Sequence, residues 1–386
     1  MRLVMLINAD WYFLSHRLSL ARQLRAEGFE VVVAAPIERG SAGEIESLGF
    51  RFVPIPMRRG SKNPLRELRA IAAIHALYRR ERPDLVHHFS TKPVLYGSIA
   101  ARLAGVPAVV NTIPGLGPLF DAEGADDVRL RILSRVYKGL LSGRHVRVIV
   151  QNPDDRAEVL RRGLVGEDRL SLIRGSGVNV DQWTTGVEGG GVPTAVLSSR
   201  LLWAKGLDDL AAASRLLKRD GVALRILVAG EPDPESADRV PAEQLRAWQD
   251  EGLIEWLGYR ADMPDLVRTA AFAVLPSFYK EGIPKALLEA AAAGKPIVTT
   301  NMPGCREVVP DGSNGMLVPP RDPSALASAM ARLVADPALR ARMGARSREI
   351  AVAEFSDATV VGRTIGVYRD LLGARWPVAQ MPRRSR

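Results

Sequence analysis

Residues 271–300, AFAVLPSFYKEGIPKALLEAAAAGKPIVTT, decide the fold. AFAVLP is a short apolar run of strand length. KALLEAAAA follows Pro284 and is rich in strong helix formers; a proline at this place is a helix-start signal. Gly294 ends the helix, and PIVTT reads as the next strand. Strand, loop, helix and strand in this order make one βαβ unit of a parallel sheet. Such sheets bind ligands beyond the C-terminal ends of their strands, and Glu281 and Gly282 fall at that place. The helix start adds free N–H groups and a partial positive charge, which suits a phosphate.

Glu281 lies on the loop and Glu289 inside the helix, with seven residues between them. If both were helical, their Cα atoms would stand about 12 Å apart. A retaining glycosidase needs its two carboxyl groups about 5 Å apart, and an inverting one about 6.5–9.5 Å. The pair fits better as two fixed acceptors gripping hydroxyls along an extended ligand. The plainer reading makes Glu289 a solvated helix residue.

The chain has 386 residues and is 47% apolar, enough for two compact domains and too much for disorder. One cysteine, Cys305, excludes an internal disulfide and a cysteine-built metal site, and fits a reducing compartment. The opening MRLVMLINADWYF has too short an apolar part for a signal peptide, and Asp10 and the following SHR spoil a cleavage site. No uncharged apolar run approaches about 18 residues, so no membrane span is expected. The expected place is the cytoplasm, with peripheral attachment to the inner face of the membrane. Net charge is +10, unevenly spread: residues 1–180 hold 27 Lys+Arg against 18 Asp+Glu, and the remainder 26 against 25. A basic half attracts anionic partners such as a membrane surface, nucleic acid or phosphorylated substrates.

The βαβ pattern recurs from the start. RLVMLI is a strand, residues 16–27 a helix, EVVVAAP a strand; DLVHHF, PAVVNT and VRVIVQN are further strands with helices between. DQWTTGVEGGGVP, residues 181–193, is the expected linker. The pattern then restarts with TAVLSS, GLDDLAAASRLLKR, ALRILVAG, AEQLRAWQDEG and IEWLG. The expected division is a Rossmann-like domain over 1–180, the linker 181–193, a second Rossmann-like domain over 194–362, and a C-terminal helix with a basic tail over 363–386. The fold class is α/β. Neither first strand is followed by G-x-G-x-x-G, since the chain reads NADWYFLSHR and SSRLLWAKG there, and the P-loop pattern is missing too.

SSRLLWAKG puts Arg200 and Lys205 just after a strand, IEWLGYR precedes a helix, and FYKEGIPKALLE supplies E-x7-E. Together, and with NMPGCREVVPDGSNGMLVPP after them, these resemble the retaining GT-B glycosyltransferases of family 4, over nearly the whole chain. The resemblance implies two Rossmann-like domains facing each other across a cleft, with the C-terminal helix packing back toward the first. It implies that Arg200 and Lys205 hold the diphosphate of a nucleotide-sugar, UDP-linked by expectation, and neutralise charge that grows as the glycosidic bond breaks. Glu281, with the backbone of Gly282, Ile283 and Pro284, would meet the donor sugar and phosphates; proline has no N–H, so the donors are Gly282 and Ile283. Glu289 would accept from the ribose hydroxyls.

HHFSTKPVLYGSIAARLAGVPAVVNTIPGLG resembles bacterial members that extend sugars on a polyprenyl diphosphate or build capsule and O-antigen chains. The first domain would then bind a lipid-linked or polysaccharide acceptor. Many relatives place a histidine near the end of the fourth strand; Asn111 and Thr112 stand there in this chain, and Ala9-Asp10-Trp11 replaces the usual glycine pair after the first strand. His16, His87 and His88 are further acceptor-side candidates, against a plain structural role for a histidine at a strand end. No metal and no cofactor are expected, and the run Glu231, Asp233, Glu235 reads as an acidic loop. The expected activity is transfer of a hexose or N-acetylhexosamine with retention, by front-face attack.

Two other classes fit parts of the sequence. A nucleotide-sugar epimerase of the same architecture would need no acceptor. A nucleic-acid-binding protein would explain the basic half, but the basic residues are scattered on helices with few interleaved aromatics. Residues 57–82 carry Arg58, Arg59, Lys62, Arg66, Arg69, Arg79, Arg80 and Arg82 against Glu67 and Glu81, around an apolar stretch with Leu65, Leu68, Ile71, Ala72, Ala76 and Leu77. Such a basic amphipathic helix can lie on anionic lipid, or pack its apolar face on the sheet.

Overall fold

The computed structural model describes residues 1–61, 63–116 and 128–377; Lys62 and the basic tail beyond Pro377 lie outside them. The chain divides into two compact units, Met1–Ile173 with Val360–Arg386, and Arg174–Thr359.

The first unit runs β1 (Arg2–Leu6), α1 (Asp10–His16), α2 (Leu18–Ala26), β2 (Glu30–Ala35), α3 (Ala42–Ser47), β3 (Arg51–Pro54), α4 (Pro64–Glu81), β4 (Leu85–Phe89), α5 (Thr91–Ala104), β5 (Val109–Ile113), α6 (Val128–Leu141), β6 (Val146–Val150), α7 (Pro153–Arg161) and β7 (Leu170–Leu172). Its seven strands are parallel in the order β3-β2-β1-β4-β5-β6-β7. Both faces are covered, which is why the strands read as near-continuous apolar runs. Val4, Leu6 and Val32 face one core, and Leu3, Met5, Val31 and Val33 the other.

The second unit runs β8 (Thr194–Ser198), α8 (Leu207–Arg219), β9 (Arg225–Ala229), α9 (Ala242–Asp250), β10 (Glu255–Gly258), α10 (Met263–Thr269), β11 (Phe272–Leu275), α11 (Lys285–Ala292), β12 (Ile297–Thr300), α12 (Cys305–Val308), β13 (Gly315–Val318), α13 (Pro323–Ala335) and α14 (Pro337–Ile350). Its six strands are parallel in the order β10-β9-β8-β11-β12-β13. The last helix, α15 (Asp357–Leu372), carries the chain back into the first unit, where Val361, Ile365 and Tyr368 join the core beside α1 and α2.

Local chemistry fixes the helix starts. Asn63, Asp322 and Asp336 each precede a proline and cap the next helix: Asn63 Oδ1 accepts from Leu65 N (3.0 Å), Asp322 Oδ1 from Ala325 N (2.9 Å) and Asp336 Oδ1 from Leu339 N (2.8 Å). Several elements differ from the sequence expectation. The helix expected over 16–27 is α2, and a separate helix, α1, precedes it from Asp10, with a break at Arg17 (φ −127°, ψ −8°). α3, β3, α12 and α14 had no counterpart in the sequence reading. The glycine-rich segment 181–193 falls inside the second unit, where Trp183 is buried in its core and Gly189 N donates to Thr269 O.

Candidate active site

In each sheet the strand order reverses once, between β1 and β4 and between β8 and β11. A crevice opens beyond the strand ends at such a reversal. In the second unit the loop after β8 carries Arg200 and Lys205, and the loop after β11 carries Glu281.

These two loops are pressed together. Gly206 has φ +75°, and a Cβ there would lie 2.1 Å from Pro276 O, so only glycine fits. Phe278 N donates to Ala204 O at 2.9 Å, and Ser277 Oγ to the same carbonyl at 3.3 Å. The approach brings the Lys205 ammonium onto the Glu281 carboxylate in a nearly buried ion pair. Ser277 Oγ lies 3.5 Å from the same carboxylate oxygen, and Lys205 Nζ lies 5.7 Å from the Tyr279 ring. Arg200 Nη1 donates to Asp233 Oδ2 at 2.9 Å; Asp233 is buried and lies on the loop after β9. Gly304 closes the other side: at φ +82° it meets the Gly282 carbonyl so closely that a Cβ would stand 1.5 Å from that oxygen. Cys305, next in the chain, is buried, which pushes its thiol up to about 11; the Glu281 charge adds to the shift.

Gly282, Ile283 and Pro284 are buried, and Pro284 leads into α11 with φ −60°. The amides of Gly282 and Ile283 reach no acceptor among the described residues. Glu289 sits in the second turn of α11, half-buried, with its carboxyl making no hydrogen bond among the described residues. Burial pushes it up to about 7, against the opposing pull of Lys285 one turn earlier. The sequence thus points to four side chains, and the structure sets three of them, Arg200, Lys205 and Glu281, on adjoining loops. Asp233 and Ser277 were missed. The signal for Asp233 was the acidic run directly after a buried strand; Ser277 carried none.

The first-unit candidates divide between the two faces of the sheet. His88 donates from Nδ1 to Asn111 Oδ1 at 2.7 Å and accepts at Nε2 from Tyr78 Oη at 3.0 Å, with Ser98 Oγ also on Asn111 Oδ1. His87 faces the opposite way, between Thr112 Oγ1 (2.7 Å) and the Tyr368 hydroxyl of α15. Both rings are fully buried, and burial holds His88 down at about 4 and His87 well below its ordinary value. His16 ends α1, stacked on Tyr12 at 4.1 Å with Nδ1 2.7 Å from Ser15 Oγ. The structure therefore ties His87, His88, Asn111 and Thr112 into core packing and leaves His16 outside it, at the end of α1. The start of α1 holds a residue to which the sequence reading gave no role. Asp10 is fully buried and accepts from the amides of Trp11 (2.9 Å), Glu38 (3.1 Å), Arg39 (3.2 Å) and Ser41 (2.8 Å). Its carboxylate fixes the loop after β2 against the end of β1.

Among the described residues no three His, Cys, Asp or Glu side chains gather as metal ligands, and no helix is long and apolar enough to cross a membrane.

Comparison with known proteins matches both units to families. Residues 192–336 match the family model described as glycosyl transferases group 1, and residues 2–152 the one described as glycosyl transferase 4-like. The chain is 24% identical to the N,N'-diacetylbacillosaminyl-diphospho-undecaprenol alpha-1,3-N-acetylgalactosaminyltransferase of Campylobacter jejuni, over 95% of this chain and 98% of that one. It is 30% identical to the alpha-maltose-1-phosphate synthase of Mycolicibacterium smegmatis, over 82% and 86%. Its fold matches Anabaena Alr3699/HepE in complex with UDP-glucose with a TM-score of 0.75 at 19% identity, over 95% and 99%.

Proposed function

From the premise that the chain belongs to the glycosyl transferase group 1 family and is a glycosyltransferase of the GT-B fold, we propose that it transfers a hexose or N-acetylhexosamine, with retention, from a UDP-sugar to a sugar on a lipid diphosphate. The single observation that carries the reading is the Lys205–Glu281 pair at the β8/β11 crevice, with Arg200 on the same loop as Lys205. The name of the Campylobacter relative supports the lipid diphosphate, and the UDP-glucose bound by the Anabaena protein supports the nucleotide.

The pair suits a site that waits for a donor. Lys205 and Glu281 neutralise each other when the crevice is empty of charge. A nucleotide-sugar entering between them gives the ammonium a phosphate oxygen and the carboxylate the sugar's hydroxyls. Arg200, oriented by Asp233, adds a second cation to the diphosphate. The acceptor hydroxyl attacks the anomeric carbon on the face from which UDP departs. The bond from that carbon to the phosphate oxygen breaks, and the leaving phosphate takes the acceptor's proton. Two side-chain cations stabilise the charge growing on UDP, so the reading needs no bound metal. The open amides of Gly282 and Ile283 add donors at the α11 start. Peripheral attachment to an anionic membrane, through α4, belongs to the same reading, because the acceptor would reside in that surface.

A panel of nucleotide-sugars, each assayed for released nucleotide with a polyprenyl-diphosphate-linked sugar present, tests it. UDP should appear with a UDP-hexose or UDP-N-acetylhexosamine, and the product should keep the donor's anomeric configuration. Release from none of the donors would sink the proposal. Conversion of the sugar nucleotide without acceptor would favour an epimerase.

A further inference from the structure

Among the described residues, six buried side-chain nitrogen or oxygen atoms lack a hydrogen-bond partner, and two of them, Asn8 Oδ1 and Arg17 Nε, follow β1 closely. Buried polar groups are nearly always paired, so each exception asks for an explanation.

Arg17 is the sharper case. It sits in the break between α1 and α2 and is 6% exposed. A guanidinium has five N–H donors; among the described residues this one makes a single hydrogen bond, from Nη2 to Tyr12 Oη at 3.0 Å. Its carbon lies 4.2 Å over the Phe89 ring and 5.5 Å over Tyr12. No carboxylate stands within ion-pair distance among the described residues. The nearest in sequence, Asp10, is occupied by four backbone amides. A cation withdrawn from water without an anion is costly, and an apolar side chain would fill the same space at less cost.

Its place matters as much. Phe89 ends β4, so Arg17 stands at the β1/β4 reversal of the first sheet, where a ligand crevice is expected. The next residue, Ser90, has φ 77° and ψ 165°, a region nearly reserved for glycine, and starts the 14-residue α5 without capping it by its side chain. The cation of Lys92 is already engaged by Glu67 and the carbonyls of Arg58 and Ser61. An uncapped helix start and an uncompensated guanidinium thus share one strand end, and both favour an anion.

We propose that Arg17, with the first amides of α5, is an anion subsite for the diphosphate that joins the acceptor sugar to its lipid. The inference rests on the lipid-diphosphate reading above. Diphosphate could also come from the donor nucleotide, but that group has its own cations, Arg200 and Lys205, in the second unit.

The test uses the full chain as wild type, Arg17→Met and Arg17→Lys. Inorganic pyrophosphate is titrated calorimetrically with UDP held at saturation, which occupies the nucleotide site and makes this arm independent of turnover. Wild type should bind, Arg17→Met should lose at least tenfold in affinity, and Arg17→Lys should fall between them. In the kinetic arm, Arg17→Met should raise the KM for a diphosphate-linked acceptor at least tenfold, and leave unchanged both the donor KM and the KM for the same sugar on an uncharged alkyl glycoside. Thermal stability of Arg17→Met should be unchanged or higher. No pyrophosphate binding by wild type overturns the subsite, whatever the enzyme turns over. A change confined to the donor KM and UDP affinity overturns the acceptor assignment in favour of the nucleotide. A loss of stability with unchanged anion affinity makes Arg17 a packing residue. Absence of turnover with every acceptor, while pyrophosphate still binds through Arg17, would fault the functional reading and leave the subsite standing.

Discussion

Each charged side chain of the second-unit crevice is held by an opposite charge or by burial, and that determines how its removal should read. Arg200→Ala or Lys205→Ala should lower kcat by about 10²-fold or more, about 2.7 kcal/mol, a larger effect than the fall in thermal stability caused by leaving Asp233 or Glu281 without its cation. Steady-state rates beside a melting curve check this; wild-type turnover would remove the residue from the site. Glu289 should behave differently. The donor's ribose hydroxyls would contact Glu289 equally in ground and transition states, so Glu289→Ala should raise the donor KM and spare kcat. Burial holds the carboxyl at about 7, whereas hydroxyl donors bind its ionised form. The donor KM should therefore fall as pH rises from about 6 to about 8, and Glu289→Gln should flatten that profile. A pH-independent donor KM in wild type would return Glu289 to the status of an ordinary helix residue. Arg200, Lys205, Glu281 and Glu289 were singled out through the R-x4-K and E-x7-E motifs and the resemblance those carry, and the structure puts the first three on the loops after β8 and β11 and the fourth in α11. Their partners were not legible: Asp233 is 33 residues from Arg200, and no spacing rule joins them. The burial of His87 and His88 was equally hidden, since alternation along β4 says only that they face opposite ways.

At the level of elements, strands buried on both faces were the easiest to read, because LVML, VVVAA and FAVL leave no alternative to a covered parallel sheet. β3 was missed: it is four residues long, at the sheet edge, and begins with exposed Arg51. The start of α1 was hidden because Asp10 turns its carboxylate to a distant loop rather than to its own helix alone. α4 was foreseen but its faces were assigned only in part. Ala70, Ile74, Leu77 and Tyr78 pack inward, while Leu65 and Leu68 stay 77% and 61% exposed beside exposed Arg66 and Arg69. Arg59 is unsuited to lipid, since Glu38 holds it at 2.7 Å. The two leucines stand at the start of α4, the end of the crossover that faces the strands' C-terminal edge. Liposome co-sedimentation should therefore need anionic lipid and weaken with salt, each outward arginine adding roughly 1 kcal/mol. Arg58, Arg66 and Arg69 changed together to Ser should abolish the salt-sensitive part, and Leu65 and Leu68 changed to Ser should lower the rest. Equal recovery in the supernatant under every condition would rule this face out.

Across the whole molecule the titrating groups are sorted by unit, and so should be the response to acid. All five histidines precede residue 146, so the second unit has none. His87 and His88 are buried neutral, with folded values below the unfolded one of about 6.5. Between about pH 6.5 and 4 the unfolded chain binds protons that the folded first unit refuses, so that unit loses stability as pH falls, by about 1.4 kcal/mol per pH unit for each fully affected histidine. Glu289 works in the opposite sense. Its folded value, about 7, exceeds the unfolded one, so the folded second unit binds the extra proton and gains stability as pH falls from about 7 to about 4.5. Carboxylates held low by arginines, such as Glu81 and Glu158, begin to matter only below that window. Hydrogen exchange at pH 7.5 and 5.2, corrected for the intrinsic rate, separates the units within one chain. Amides of β4 and β5 should lose protection at pH 5.2, and those of β11 and β12 should keep or gain it. The two histidines outweigh the single glutamate, so the unfolding transition of the whole chain should also move to lower temperature, led by the first unit. Equal loss in both units, or loss led by the second, would mean that the buried imidazoles do not control the acid response.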